Sequence, residues 1–233
     1  MLVLVIPAYN EEPVIARTLT ALPVGLFSRV IVAANGCTDG TAQAARAAGA
    51  EVVETPERGY GAACLKAMDV LNEPNDIVLW LQADGSEDAR EAQALVAPIE
   101  RNEADLVLGS RTLGHAAPGA ILPHQRFGNV VASFLIRLFW RHRYSDLGPF
   151  RAIRVSHLRA LNMQDRNYGW TVEMQIRALQ HGLRVVEVPV SYGLRQAGEP
   201  KVAGRLGASL KAGQVIISTV LRLALHPRRQ RKS

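Results

Sequence analysis

The sequence predicts an α/β fold in which a mostly parallel sheet is flanked by helices and followed by an amphipathic helical tail. Three observations predict it. Four short apolar runs alternate with helical apolar patterns inside the first 81 residues, which implies parallel strand pairing through right-handed crossovers. The 233 residues, 48% of them hydrophobic, suffice for one buried core and leave little for a second. Residues 195–233 hold nine Lys or Arg against one acid, Glu199, whereas the preceding 194 residues hold 18 bases and 20 acids. The chain therefore divides into one folded domain over 1–205 and a basic amphipathic tail over 206–233.

The first strand is the apolar run Val3–Ile6, ended by Pro7. It has no basic segment before it, so it reads as a buried strand rather than a signal peptide, and a cytoplasmic protein is expected. A helix follows over Glu11–Leu22, with Val14, Ile15, Leu19 and Leu22 at helical spacing. The alternation continues with strand Arg29–Ala33, helix Gly40–Ala48, strand Ala50–Glu54, helix Gly61–Leu71 and strand Asp76–Leu81. Next come helix Ala89–Arg101 and strand Asp105–Leu108. A Gly-, Pro- and His-rich loop from Leu113 to Gln125 has the length of a functional lid. Phe127–Arg141 and Val172–His181 read as helices, the latter stopped by Gly182, and Arg184–Val188 as the last strand. Cys37 and Cys64 share no metal or disulfide spacing and read as ordinary thiols.

The C-terminal strand ends carry 7–11, 35–40, 82–87 and 109–111, and in open α/β sheets ligands bind at that edge. No GxGxxG follows the first strand and no GxxxxGK[ST] occurs, which removes the main support for dinucleotide and P-loop readings. Three strings stand there in order: Ile-Pro-Ala-Tyr-Asn-Glu-Glu from Ile6, Asn-Gly-Cys-Thr-Asp-Gly-Thr from Asn35, and Leu-Gln-Ala-Asp-Gly-Ser from Leu81. Together they resemble family 2 glycosyltransferases, which implies the GT-A, Rossmann-like fold. Gly-Ser-Arg from Gly109, Asp-Leu-Gly-Pro-Phe-Arg-Ala from Asp146, Tyr-Gly-Trp-Thr-Val-Glu-Met from Tyr168 and the Arg-x-x-Gly-x-x-Lys stretch from Arg195 are similar to the dolichyl-phosphate mannose synthase branch. The resemblance runs from residue 2 to about residue 225.

The chemistry of such a reaction explains the residue types. A nucleotide-sugar presents a base, a ribose and a charged diphosphate, and cleavage leaves negative charge that a divalent cation can neutralise. Asp84 on a strand-end loop suits Mg²⁺ or Mn²⁺, with Gln82 and Ser86 as neighbouring oxygen ligands. The usual Asp-x-Asp stands here as Gln82-Ala83-Asp84, so one carboxylate is replaced by an amide. Glu87 or Asp88 could add charge, or serve the dipole of the following helix.

The resemblance assigns Pro7, Tyr9 and Glu11 to the nucleoside, with Asn35 and Asp39 on the second loop. Arg195 and Lys201 would clamp the diphosphate as a closing lid. Arg111 and Arg126 would bind an acceptor phosphate, for which guanidinium forks are suited. Asp146, Arg151 and Glu173 fall in acceptor-side segments; Asp146 is either a general base or a binder of sugar hydroxyls, and Glu173 either an acceptor contact or a partner of a nearby arginine.

The tail bears on the acceptor. Leu206–His226 places Leu210, Val215, Ile216, Ile217, Val220, Leu221, Leu223 and Leu225 among Lys211 and Arg222, with Arg228, Arg229, Arg231 and Lys232 beyond. This is too short and charged to span a bilayer and suits an interfacial helix, or else one packed on the domain or between copies of the chain. The expected activity is metal-dependent, inverting transfer of a sugar to a polyprenyl phosphate at the inner face of a membrane. The expected partners are a nucleotide-sugar donor, that acceptor and an anionic membrane surface, with no nucleic acid and with self-association left open. The rivals are transfer to a small soluble or carbohydrate acceptor, and a non-catalytic nucleotide-sugar or lipid-phosphate binder.

Overall fold

In the computed structural model, residues 1–196 and 206–225 are described, except for the side chains of 206–212. Strand β1 (Leu2–Ala8) is buried along its middle because it is apolar on both faces, and Val3 through Ile6 have no exposed surface. It pairs in parallel with β2 (Arg29–Asn35) on one side and β4 (Ile77–Trp80) on the other, and β3 (Glu51–Thr55) pairs in parallel with β2. Seven strands form one sheet in the order β3-β2-β1-β4-β6-β5-β7.

Helices α1 (Glu12–Thr20), α2 (Thr41–Ala47), α3 (Tyr60–Met68) and α4 (Ala92–Glu100) make the crossovers the alternation predicts, α4 preceded by a short 3-10 turn over Ala89–Glu91. Alternate residues of each strand feed two cores. Val3, Val5, Val78, Trp80, Leu106 and Leu108 pack on one face, and Leu4, Ile6, Leu79 and Val107 on the other. Trp80 meets Trp170 at 5.2 Å between ring centroids, a contact that seats α7 (Trp170–Gln180) under the sheet.

Strand β6 (Arg151–Arg154) and helix α6 (Val155–Leu161) have no counterpart in the expected elements. β6 runs antiparallel between β4 and β5, so the sheet is mostly but not wholly parallel. Its four residues begin and end with arginine, which hides a strand from any test of apolar alternation.

The expected loop from Leu113 also changes. Strand β5 extends over Leu106–Ala116 beside β7 (Val185–Tyr192), with a register shift between Ser110 and His115. Gly114 permits that approach, because a Cβ there would lie 2.1 Å from the Val190 carbonyl oxygen. Helix α5 (Pro123–Trp140) starts earlier than expected, with Pro123 in its first turn and the Gln125 side chain accepting from the Leu122 N–H at 2.9 Å.

Helix α8 (Leu206–Leu225) packs against α5 and α7, with Val220 and Leu223 buried and the Thr219 hydroxyl donating to Asp165 at 3.1 Å. The described part of the expected tail is thus docked on the domain. The positions beyond Leu225, including Arg228, Arg229, Arg231 and Lys232, lie outside the described residues.

Asp105 and Arg184 hold the starts of β5 and β7 together through a forked pair at 2.8 and 3.0 Å. The Arg184 fork lowers the Asp105 carboxyl to about 2, against the opposing effect of burial. A folded pKa below the unfolded one gives stability that is present above about pH 3.8 and is lost as pH falls toward 2. Asp105→Asn is therefore expected to lower the melting temperature at pH 7 and to cost much less at pH 2.5. Arg184 is half-exposed, so the neutral-pH cost is on the order of 1 kcal/mol.

Candidate active site

The loops at the C-terminal ends of β1, β2, β4 and β5 converge with the end of β7, and the turn after β4 lies at their centre. Thr18 of α1 donates to the Ala83 carbonyl at 2.8 Å and fixes that turn from below. Gly85 closes it at φ +72°, a conformation that other residues adopt only with strain. Asp84 is buried but for 7% of its surface, and its Oδ1 accepts from the Ser86 N–H at 3.0 Å and the Ser86 hydroxyl at 2.6 Å. The same hydroxyl lies 3.1 Å from Gln82 Oε1, so the three oxygen ligands expected from the sequence stand within one turn.

Arg195 reaches over this turn. Its guanidinium donates to Asp84 Oδ2 at 3.0 Å and also to Glu11 Oε1. The expected diphosphate clamp thereby bridges the two carboxylates of the first and third loops. Its neighbour Gln196 donates its backbone N–H to the Asp84 carbonyl at 3.0 Å. Lys201 lies outside the described residues. Pro7 and Tyr9 are half-buried at the end of β1, and the Arg58 guanidinium stands 5.2 Å from the Tyr9 ring centroid.

Two second-loop residues have internal work. Asn35 is buried and donates to the Gly59 carbonyl at 3.0 Å, tying β2 to the start of α3. Asp39 accepts from the backbone and hydroxyl of Thr41 and from the Glu12 N–H. Burial opposes its ionisation, yet these donors hold its carboxyl below the ordinary value. Asp39 thus joins α1 to α2.

At the far side of the turn, Arg111 grips Asp146 with Nε at 2.7 Å and a terminal nitrogen at 2.8 Å. Asp146 also accepts from Asn129 of α5 at 3.0 Å and the Leu147 N–H at 2.8 Å. Burial would raise its pKa, but the Arg111 fork and the backbone donors hold it below the usual carboxylate value. Asp146 thus holds Arg111 in place, and the same contacts make its carboxylate a weaker base than an ordinary aspartate. Tyr192 stacks on Arg111 at 5.0 Å and donates to Gln82 Oε1 at 3.3 Å, linking this pair to the turn. Glu87 is buried below, its carboxyl pushed up to about 8 by burial and by Asp84, against the Gln82 N–H that it accepts.

Two expected acceptor contacts are set in the interior. Arg151 has no exposed surface and donates to the carbonyls of Gly148 and Thr171. Glu173 is equally buried and accepts from Arg177 at 2.7 Å and from the Gln164 and Asp165 N–H groups at 3.0 and 2.7 Å. Neither presents a polar atom to the cleft, and Glu173 does what the neighbouring-arginine reading describes. Arg126 is exposed on the first turn of α5 and has no ion pair among the described residues.

Arg58, Asn129 and Tyr192 were not anticipated. Tyr192 was findable as an aromatic at a strand end, and Asn129 as the lone amide in the apolar stretch Phe127–Arg141.

The family model for glycosyl transferase family 2 matches residues 3–165. The chain belongs to this family. An uncharacterized glycosyltransferase of Mycobacterium tuberculosis H37Rv is 40% identical over 209 residues, covering 89% of this chain and 92% of the relative. The undecaprenyl-phosphate mannosyltransferase of Micrococcus luteus is 29% identical over 216 residues, covering 86% of each chain. Glucosyl-3-phosphoglycerate synthase of M. tuberculosis, solved with Mn²⁺, UDP and glucosyl-3-phosphoglycerate, superposes with a TM-score of 0.76 at 21% identity, covering 97% of this chain and 81% of that one. The glycosyltransferase thus has the GT-A fold the sequence implied. Its described helices include none long and apolar enough to cross a membrane.

Proposed function

We propose that this glycosyltransferase moves a sugar from a nucleoside-diphosphate sugar to a polyprenyl phosphate. The observation that carries the acceptor is the engagement of Asp146: its carboxylate is held by Arg111, Asn129 and Leu147 and kept ionised, so it is a poor proton acceptor. A hydroxyl acceptor needs a general base, whereas a phosphate is ionised at neutral pH and needs only to be placed. The undecaprenyl-phosphate mannosyltransferase among the relatives supports the same acceptor class.

On the donor side, Tyr9 and Pro7 offer a surface for the base and Glu11 a carboxylate at the ribose end. The turn fits a divalent cation of the Mg²⁺ or Mn²⁺ type. It offers Asp84, the Gln82 amide oxygen and the Ser86 hydroxyl as hard oxygens, and a guanidinium already sits against the carboxylate. Among the described residues no three His, Cys, Asp or Glu converge, which suits an ion completed by substrate phosphates and water. When bound, the ion neutralises charge on the departing nucleoside diphosphate. Arg195 then transfers its grip from the carboxylates to the diphosphate, and Arg111 and Arg126 orient the acceptor phosphate. An acceptor oxygen attacks the anomeric carbon, and the bond to the diphosphate breaks with its electron pair leaving on the nucleotide. Inversion follows from the family resemblance.

The deciding assay combines UDP- and GDP-sugars, Mg²⁺ or Mn²⁺ and a polyprenyl phosphate, with products read by mass. A polyprenyl phosphate heavier by one sugar is expected; transfer to a phosphoglycerate or to water alone would reject the acceptor. Within the same assay, Arg126→Ala is expected to raise the acceptor KM roughly tenfold or more, the loss of one charge-assisted contact, with the donor KM little changed. Equal effects on both substrates would remove Arg126 from the acceptor site.

A further inference from the structure

Helix α5 uses its two faces differently. Its inner face buries Ala132 and Ile136, and Asn129 there donates to Asp146 at 3.0 Å and accepts from the Leu147 N–H at 3.0 Å. Its outer face leaves Phe127, Val130, Phe134 and Leu138 exposed by 71, 67, 61 and 61%. At 3.6 residues per turn these four form one stripe, and a stripe with two phenylalanines is an expensive surface to leave in water.

The charge beside the stripe has one sign. Arg126 and Arg137 lie along one flank, with Arg141 and Arg143 at the helix end, all exposed. Between residues 106 and 145 the chain has five arginines and no aspartate or glutamate. The adjoining helix α8 leaves Leu221 and Leu225 exposed as well.

We propose that the outer face of α5 docks on an anionic lipid surface, with the apolar stripe in the acyl boundary and the arginines among headgroup phosphates. An apolar stripe with a basic flank on a helix too polar to span is the pattern of an interfacial helix. A second copy of the chain is disfavoured as the occupant. A two-fold contact through this face would bring the arginines of both copies together, with no acid on the same stretch to answer them. The docking places α5 on the membrane, with the Asn129–Asp146–Arg111 group directly behind that helix. This deepens the lipid-acceptor reading and rests on it for its catalytic consequence, while the docking itself is read independently.

The test uses the full-length chain, so that α8 stays in place. Flotation with vesicles of phosphatidylcholine containing phosphatidylglycerol is compared for the wild type, the variant Phe127→Ser/Phe134→Ser/Leu138→Ser, and the variant Arg137→Gln/Arg141→Gln/Arg143→Gln. Because these side chains are exposed, both variants are expected to keep the wild-type melting temperature. The wild type is expected to float; the apolar variant should lose vesicle partition at least tenfold at every salt concentration. The arginine variant should lose it most at low salt and on phosphatidylglycerol-rich vesicles. Unchanged flotation of both variants, no flotation of the wild type, or a wild-type dimer that the apolar variant splits would each overturn the proposal. Transfer to a short, water-soluble polyprenyl phosphate separates it from the acceptor reading. Variants that lose vesicles yet keep short-chain transfer support both. A wild type that floats but transfers to no polyprenyl phosphate supports the docking and rejects the acceptor.

Discussion

Asp84→Asn is expected to reduce sugar transfer about a thousandfold while the melting temperature stays within about a degree or two of the wild type. Asparagine keeps an oxygen where Asp84 Oδ1 accepts from the Ser86 N–H and hydroxyl, so the turn between Leu81 and Glu87 retains its internal bonds. What is removed is the charge, and with it the oxygen that accepts from Arg195. That charge is the sole carboxylate among the three oxygen ligands proposed for the cation, Gln82, Asp84 and Ser86, since the first position of the usual acidic pair is an amide here. An enzyme with carboxylates at both positions of the pair could retain part of its metal affinity after one substitution, but here the other position, Gln82, is a neutral amide. Without that charge the cation that would neutralise the departing diphosphate is held poorly, and losing one stabiliser of a developing oxyanion costs about 2.7–4 kcal/mol, which is two to three powers of ten in rate. The measurement is single-turnover transfer at saturating Mn²⁺, run beside donor titrations with and without the metal. Donor binding should lose its metal dependence in the variant, and Arg195 should remain in place through its pair with Glu11 of the first loop. Near-normal turnover at saturating metal would take Asp84 out of the mechanism.

The parts of the fold that periodicity can report were legible in the sequence. β1 to β4 and their crossovers follow from runs such as Val3–Ile6 and Ile77–Trp80, whose burial on both faces needs no polar alternation. β6 was not legible, because Arg151 and Arg154 enclose only two apolar residues and the strand exists through pairing with β4 and β5. β5 beyond Gly109 was hidden for a related reason: its glycine and histidine composition reads as loop, and Val190 and Gly114 supply the close approach that makes it a strand.

The site divides in the same way. Asp84, Glu11 and Arg195, taken from three separate strings, meet within hydrogen-bond distance. Arg111 and Asp146 also meet, but as a fixed ion pair, a relation between distant residues that no local motif states. Burial is what a string cannot report. Arg151 and Glu173 sit in segments that resemble acceptor elements, yet both side chains point into the interior.

Glu173→Ala is therefore expected to act on the fold rather than on the acceptor. The substitution leaves the nearly buried Arg177 without its carboxylate and strips the Gln164 and Asp165 N–H groups of their acceptor. Removing one member of a buried ion pair costs roughly 3–5 kcal/mol, because the remaining charge stays uncompensated away from water. For a chain of this size each kcal/mol moves the melting temperature by about 2–4 °C, so a fall of roughly 6–20 °C is expected. Glu173→Gln keeps one oxygen for the backbone donors but no charge for Arg177, and should fall between alanine and wild type. The effect should spread through α7, whose Trp170 packs on Trp80 beneath the strand that carries the Asp84 turn. Below the lowered melting temperature, the folded variant should bind donor normally and show an acceptor KM close to that of the wild type. Thermal melts of the three proteins, paired with acceptor KM at a temperature where all are folded, separate the two roles. An unchanged melting temperature with a raised acceptor KM would mean that the Glu173 carboxylate turns out of the core to meet the acceptor, and that Arg177 tolerates burial without it.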